Sequence, residues 1–146
     1  MNRNVRRLPP RSMNMSARIL VVDDESHILQ VLSLKLRNAG YTVMTAGDGE
    51  EGLHVATAEA PDLVITDLQM PYMSGTDLCR SLAERSSTQD IPVIILTARG
   101  YALSDEDLGI GNIKEVVSKP FSPRLLIQMV QALLLAKSST GKAHAA

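Results

Sequence analysis

The sequence predicts an α/β domain built on a doubly wound, five-stranded parallel sheet. Along its 146 residues, strand-like apolar runs alternate five times with helix-like segments. Alternation of this kind is typical of a parallel sheet with helices on both faces. Several of the runs are continuously apolar, as in strands that are buried on both sides. The length fits one domain with additional residues at each end.

The first half of the chain contains two predicted strand–helix units. Residues 17–24, "ARILVVDD", form a continuous apolar run that ends in acids. In residues 25–40 the apolar positions recur at intervals of three and four, and Gly40 predicts the end of that helix. Residues 41–46 alternate like a strand, and residues 50–60 indicate a second helix.

The second half contains three further units. Strands are predicted at 62–67, 91–98 and 113–118, and helices at 76–86, 104–112 and 122–137. The fourth helix is weak, because its segment is short, acidic and interrupted by Gly109 and Gly111. The fifth is strongly amphipathic, with Ser122 as its N-cap and Pro123 at its first helical position.

Charge divides the chain into a basic end and a mildly acidic remainder. Residues 1–16 hold four arginines and no acid, so the rest carries 11 basic against 16 acidic residues, or −5. We predict a disordered basic tail at 1–16, one domain at 17–137 and a polar tail at 138–146. The acidic balance argues against direct nucleic-acid binding.

Targeting and redox signals are sparse. The single cysteine, Cys79, excludes an internal disulfide and is expected to be reduced and packed in a helix. The opening residues lack the apolar centre of a secretory signal. No run approaches the roughly 18 apolar residues of a membrane span. We therefore expect a cytoplasmic protein without a membrane partner.

Candidate site residues lie at the ends of four of the five predicted strands. They are Asp23, Asp24 and Glu25 after the first, Asp67 after the third, Thr97 and Ala98 after the fourth, and Lys119 after the fifth. In parallel sheets, ligands bind at the carboxyl ends of the strands. These groups are therefore expected to share one edge of the sheet.

Carboxylates that lie close together at one edge of the sheet favour the binding of a cation. Two of them about 4 Å apart repel by roughly 4 kcal/mol at an effective dielectric constant near 20. Mg²⁺ suits such a site, since it prefers one or two carboxylates together with a phosphate oxygen and waters. Asp24 and Asp67 are the predicted ligands, with Asp23 acting through water.

The other strand-end groups suit a phosphoryl group. Lys119 supplies a mobile positive charge, the Thr97 hydroxyl can donate to a phosphoryl oxygen, and Ala98 leaves room for it. Asp67 is the predicted nucleophile, because carboxylates form aspartyl phosphates. Catalysis would consist mainly of positioning and charge neutralisation.

Four motifs, "VVDDE", "DLQMPYMSG", "ILTA" and "SKPF", resemble the blocks of bacterial two-component response regulator receiver domains. The resemblance covers residues 17–137 and is closest to stand-alone, chemotaxis-regulator-like members. It implies a flavodoxin-like (βα)5 fold with strand order 2-1-3-4-5. It also implies that Asp67 accepts a phosphoryl group, that the backbone carbonyl of Gln69 is a metal ligand, and that the Lys119–Pro120 peptide is cis.

The resemblance also implies partners. A sensor histidine kinase or a histidine phosphotransfer protein would donate the phosphoryl group, and an unidentified protein would receive the signal, with a phosphorylation-dependent dimer as one form of output. Thr97 and Lys119 would bind and report the phosphoryl group, while Gln69 and Arg99 would tune its lifetime. A signalling domain that acts in trans, not a classical enzyme, is therefore expected.

One departure from the family leaves alternatives open. Val116 stands three residues before Lys119, where the family usually has Tyr or Phe. We therefore hypothesise that phosphorylation is retained, but that its effect reaches the partner through a rearrangement of the segment 99–111 and not through the movement of an aromatic ring. A degenerate receiver that binds proteins without phosphorylation is the main alternative. An enzyme is a weaker alternative, either a nucleotide-dependent oxidoreductase or an aspartyl-phosphate phosphatase. A phosphatase of this kind would require a D-x-D motif, whereas the two acids here are adjacent.

The segment "GDGEEG", Gly47 to Gly52, matches the dinucleotide-binding pattern G-x-G-x-x-G. A pyrophosphate requires bare N–H groups at a positive helix end. Here Asp48, Glu50 and Glu51 place three negative charges at that helix start, where they stabilise the helix dipole and repel a dinucleotide. We therefore predict a turn and a helix cap at this segment.

Overall fold

The computed structural model describes residues 16–98 and 103–145, with side chains up to residue 137. Five strands and five helices alternate within these ranges. They are β1 Arg18–Val22, α1 Ser26–Asn38, β2 Thr42–Ala46, α2 Gly49–Glu59, β3 Leu63–Asp67, α3 Gly75–Ala83, β4 Val93–Thr97, α4 Asp105–Leu108, β5 Ile113–Ser118 and α5 Pro123–Ala145. The tail predicted at 1–16 lies outside the described residues except for its last one.

The strands form one parallel sheet in the order β2-β1-β3-β4-β5, which confirms the order 2-1-3-4-5. The register aligns the strand ends: Val22 of β1 lies beside Ala46 of β2 and Thr66 of β3. Asp67 at the end of β3 lies beside Leu96 of β4. The residues that follow β1, β3 and β4 therefore reach the same edge of the sheet.

Both faces of the sheet are covered by helices. Successive residues of a strand point to opposite faces, so in β1 Leu20 and Val22 pack on the α2 and α3 side. Ile19 and Val21 pack on the α1 and α5 side. Cys79 is buried in α3, as predicted. This double cover confirms the doubly wound architecture.

Helix ends follow the predicted signals. Gly40 has φ 104°, a left-handed conformation that favours glycine, and its N–H donates to the Arg37 carbonyl at 2.9 Å. The Tyr41 N–H donates to the Leu36 carbonyl at 3.1 Å, which completes a Schellman motif at the end of α1. At α5, the Leu125 N–H donates to the Ser122 hydroxyl at 3.3 Å.

The glycine-rich segment is a turn and a cap, as predicted. Asp48 is the N-cap of α2, and its carboxylate accepts from the Glu51 N–H at 2.8 Å. The Glu51 carboxylate in turn accepts from the Gly47 N–H at 2.8 Å. These two bonds occupy amides that a pyrophosphate would need.

The last two helices differ in length from the predicted segments. Helix α4 contains four residues, so its predicted weakness is confirmed. Helix α5 continues to Ala145, so the backbone of 138–145 extends the helix where a tail was predicted. No proline interrupts that segment, and the helical backbone continues through Gly141. None of the helices in the described part of the chain has the length and apolar character of a membrane span.

Candidate functional site

Three carboxylates meet at the carboxyl edge of the sheet. Oxygen atoms of Asp23, Asp24 and Asp67 lie within 4.8 Å of one another. Asp23 and Asp24 follow β1, and Asp67 ends β3, so the parallel register of these neighbouring strands brings them together. Asp23 is fully buried and Asp67 is 4% exposed, whereas Asp24 is exposed. All three acids thus lie together at the sheet edge where they were predicted.

Lys119 reaches this cluster from the end of β5. Its Nζ lies 2.9 Å from Asp67 Oδ1, 3.2 Å from Glu25 Oε1 and 3.4 Å from Asp23 Oδ2. Its backbone N–H donates to the Thr97 carbonyl at 2.8 Å, and the Lys119–Pro120 peptide is cis, as predicted. Sequence reasoning noted Glu25 but missed its pairing with Lys119, which depends on side-chain conformation.

Burial raises the pKa of the Asp67 carboxyl, and the nearby charges of Asp24 and Glu25 raise this pKa further, against the lowering effect of Lys119. Burial also raises the pKa of Asp23, although the Glu25 N–H donates to its carboxylate at 2.9 Å. Burial alone would lower the pKa of Lys119, but the hydrogen bond to Asp67 and the charges of Asp23 and Asp67 raise it. Among the described residues, Lys119 therefore only partly offsets the effects that raise the pKa values of Asp23 and Asp67.

The donor set fits a hard divalent cation. The three clustered acids present carboxylate oxygens, the ligands that Mg²⁺ prefers. Burial is the main cause of the raised pKa values of Asp23 and Asp67, and a cation would relieve the repulsion from neighbouring acids that adds to it. The chemistry of the residues present thus matches a magnesium site.

Thr97 and Ala98 complete this edge at the end of β4. The buried Thr97 hydroxyl donates to the Ala98 carbonyl at 2.8 Å. The Ala98 N–H donates to the side-chain oxygen of Gln69 at 3.1 Å. Sequence reasoning named Gln69 for its backbone carbonyl and for phosphate lifetime, and did not foresee this side-chain bond. Arg99, the other residue predicted to tune lifetime, lies outside the described residues.

Gly75 lets α3 begin directly against the end of β3, where Asp67 lies. Its N–H donates to the Leu68 carbonyl at 2.8 Å. A Cβ at this position would collide with the Asp67 carbonyl oxygen and lie 3.0 Å from Leu68 Cα. The requirement for glycine comes from a backbone approach that only the folded chain reveals.

Residues 19–131 match the family described as Response regulator receiver domain. This chain belongs to that family. Receiver domains act in two-component signalling, and they typically bind Mg²⁺ at an acidic pocket such as the one formed by Asp23, Asp24 and Asp67. The resemblance inferred from the four sequence motifs is therefore confirmed.

Two curated relatives are transcriptional or response regulators. The receiver domain is 39% identical over 121 residues to the alkaline phosphatase synthesis transcriptional regulatory protein PhoP of Bacillus subtilis, covering 82% of this chain and 49% of the relative. It is 38% identical over 121 residues to the response regulator MprA of Mycobacterium ulcerans, covering 82% and 51%. The chain thus spans about half the length of these relatives.

Solved receiver structures share the fold along nearly their whole length. The chemotaxis response regulator CheY4 of Vibrio cholerae gives a TM-score of 0.74 at 32% identity, covering 81% of this chain and 98% of that one. A putative response regulator from Chloroflexus aurantiacus gives 0.76 at 32% identity, covering 82% and 98%. The receiver domain therefore has the CheY-like flavodoxin fold.

Proposed function

We propose that this receiver domain accepts a phosphoryl group on Asp67 from the phosphohistidine of a sensor histidine kinase or a phosphotransfer protein. The observation that carries the proposal is the position of the Asp67 carboxylate. It is 4% exposed, lies among Asp23 and Asp24, and has the Lys119 ammonium 2.9 Å from its Oδ1. A nucleophilic carboxylate and the positive charge that phosphate requires thus lie side by side.

In the transfer, an Asp67 carboxylate oxygen forms a bond to phosphorus as the phosphorus–nitrogen bond of the donor histidine breaks. Asp67 must be ionised to attack. Burial raises the pKa of its carboxyl, and the ion pair with Lys119 opposes that rise. Asp24, Asp67 and the Gln69 backbone carbonyl would hold Mg²⁺, with Asp23 acting through water. When bound, the cation supplies charge neutralisation for the phosphoryl oxygens.

Lys119 and Thr97 would then bind the phosphoryl group. Lys119 can exchange a carboxylate partner for a phosphoryl oxygen, since it already contacts three acids. The Thr97 hydroxyl, which now donates to the Ala98 carbonyl, could rotate to donate to the phosphoryl group. The small Ala98 leaves room beside it. These movements at the end of β4 and β5 are the proposed start of the signal.

We further propose that the domain acts in trans in the cytoplasm, through a protein-binding surface that phosphorylation changes and without direct contact to nucleic acid. Val116, in the position where the family usually has an aromatic ring, is 38% exposed on the edge strand β5. A valine cannot report phosphorylation by turning a ring. Output through the segment 99–111, which includes the short helix α4, is the proposed alternative.

The proposal is tested by incubating the protein with Mg²⁺ and acetyl phosphate and measuring its intact mass. We expect the wild type to gain one phosphoryl group, which hydroxylamine removes, as it does from acyl phosphates. Asp67→Asn should gain none. Asp90→Asn, a change of an exposed aspartate before β4, is the matched control and should be labelled like the wild type.

A degenerate receiver remains the second candidate, because Val116 replaces the usual aromatic reporter. Such a domain would bind its partner without ever taking up a phosphoryl group. Failure of the folded wild type to take up any phosphoryl group from either acetyl phosphate or a phosphohistidine donor would favour this second function.

A further inference from the structure

A single side chain links the two loops that flank the candidate site. The side-chain oxygen of Gln69, in the loop after β3, accepts a hydrogen bond from the Ala98 N–H, directly after β4, at 3.1 Å. Gln69 is exposed and lies two residues beyond Asp67. The bond therefore lies at the exposed surface beside the site and not in the core.

The Ala98 amide lies at the same edge of the sheet as Asp67, and Ala98 is one of the residues predicted to lie beside a phosphoryl group. Asp67 pairs with Leu96 in the sheet, so Ala98 follows two residues beyond that pair at the same edge. Next to it, the Thr97 hydroxyl donates to the Ala98 carbonyl at 2.8 Å. Both donors at the end of β4 are thus engaged with oxygen atoms of the protein in this state.

We propose that the Gln69 carboxamide is a built-in competitor of the phosphoryl group, which holds the Ala98 N–H until a phosphoryl oxygen displaces it. This inference rests on the proposed function of Asp67. It makes Gln69 a positioning residue that acts through the Ala98 amide. Displacement would also break the link between the loop after β3 and the segment after β4, which couples occupancy of the site to the start of the output segment.

The chemistry of a carboxamide suits a competitor of this kind. Its oxygen is a neutral acceptor, whereas a phosphoryl oxygen is charged and forms stronger hydrogen bonds. An exposed neutral bond competes with water and is modest in net strength. Its loss should therefore change the affinity for a phosphoryl mimic by roughly twofold to tenfold.

The test compares the affinity of the wild type and Gln69→Met for beryllofluoride at saturating Mg²⁺. Methionine keeps the length of the side chain but removes the carboxamide oxygen. We expect Gln69→Met to bind beryllofluoride more tightly, by about twofold to tenfold. Gln89→Met, a change of an exposed glutamine at the opposite end of β4, is the matched control and should bind like the wild type.

A gain in affinity separates competition from a merely structural role, which would weaken binding or leave it unchanged. Equal or weaker binding by Gln69→Met would overturn the inference and leave the function of Asp67 standing. No binding by the wild type would overturn both. Hydrogen exchange of the Ala98 amide without ligand gives an independent check: it should be faster in Gln69→Met, and unchanged exchange would contradict the hydrogen bond.

Discussion

The acids at the edge of the sheet are only partly balanced by Lys119, which contacts Asp23, Glu25 and Asp67. Their positions could be predicted because strand ends converge in any parallel sheet. The partners of each side chain could not, since they depend on rotamers and on the paths of the loops. Glu25 beside Lys119 and Gln69 beside Ala98 are two such contacts.

Mg²⁺ should stabilise the folded protein through these acids. At ten times its dissociation constant, a ligand that binds only the folded state adds about 1.4 kcal/mol to the free energy of unfolding. We expect Asp24→Asn to lose most of this gain, because it removes a predicted ligand. Thermal unfolding with and without Mg²⁺ measures this stabilisation, and Asp90→Asn is the control. An equal Mg²⁺ effect in Asp24→Asn would exclude Asp24 as a ligand.

Cys79 should be unreactive in the folded protein. Burial raises the pKa of its thiol to about 12, so the reactive thiolate is scarce at neutral pH. The rate of labelling by a thiol reagent in increasing urea should therefore follow global unfolding. Rapid labelling in the absence of urea, with the fold intact by circular dichroism, would contradict the burial of Cys79 in α3.

At the scale of elements, the strands and the helix starts were predictable because local signals specify them. Ser122 caps α5, Gly40 ends α1, and the acids of "GDGEEG" cap α2. At the far end of α5 the helix continues through Gly141, and this extension to Ala145 was not predicted. Close approaches between elements, such as that of α3 to the end of β3, follow from tertiary packing and could not be predicted from local sequence patterns.

Gly75→Ala should be destabilising, because the added Cβ collides with the Asp67 backbone. Overpacking of this kind typically costs about 1–3 kcal/mol. Gly111→Ala is the matched control, since a Cβ there meets no atom within 4 Å, and it should change stability by less than about 0.5 kcal/mol. Urea unfolding compares the two variants, and equal costs would contradict the close packing at Gly75.

Helix α4 is tied to α3 by one short ion pair. Arg80 Nη2 lies 2.7 Å from Asp107 Oδ1, and α4 has only four residues of its own. Arg80→Gln should therefore speed amide exchange in α4 while lowering overall stability by less than about 1 kcal/mol. Arg85→Gln, in the turn after α3, is the control. Unchanged exchange at Leu108 and Gly109 in Arg80→Gln would show that the ion pair does not hold α4.

At the scale of the whole molecule, the alternation of elements and four strand-end motifs were enough to predict the fold and the family. Topology brings together residues as distant in the chain as Asp23 and Lys119, which no local feature connects. The chain matches about half the length of its curated relatives.

The central claim is that Asp67 itself carries the phosphoryl group. Its most direct test is reduction of the acetyl phosphate-labelled protein with borohydride, which converts an aspartyl phosphate to homoserine, followed by peptide mass spectrometry. We expect homoserine at position 67 and unmodified aspartate at Asp23 and Asp24. Homoserine at either of those two positions, with Asp67 unmodified, would contradict the account.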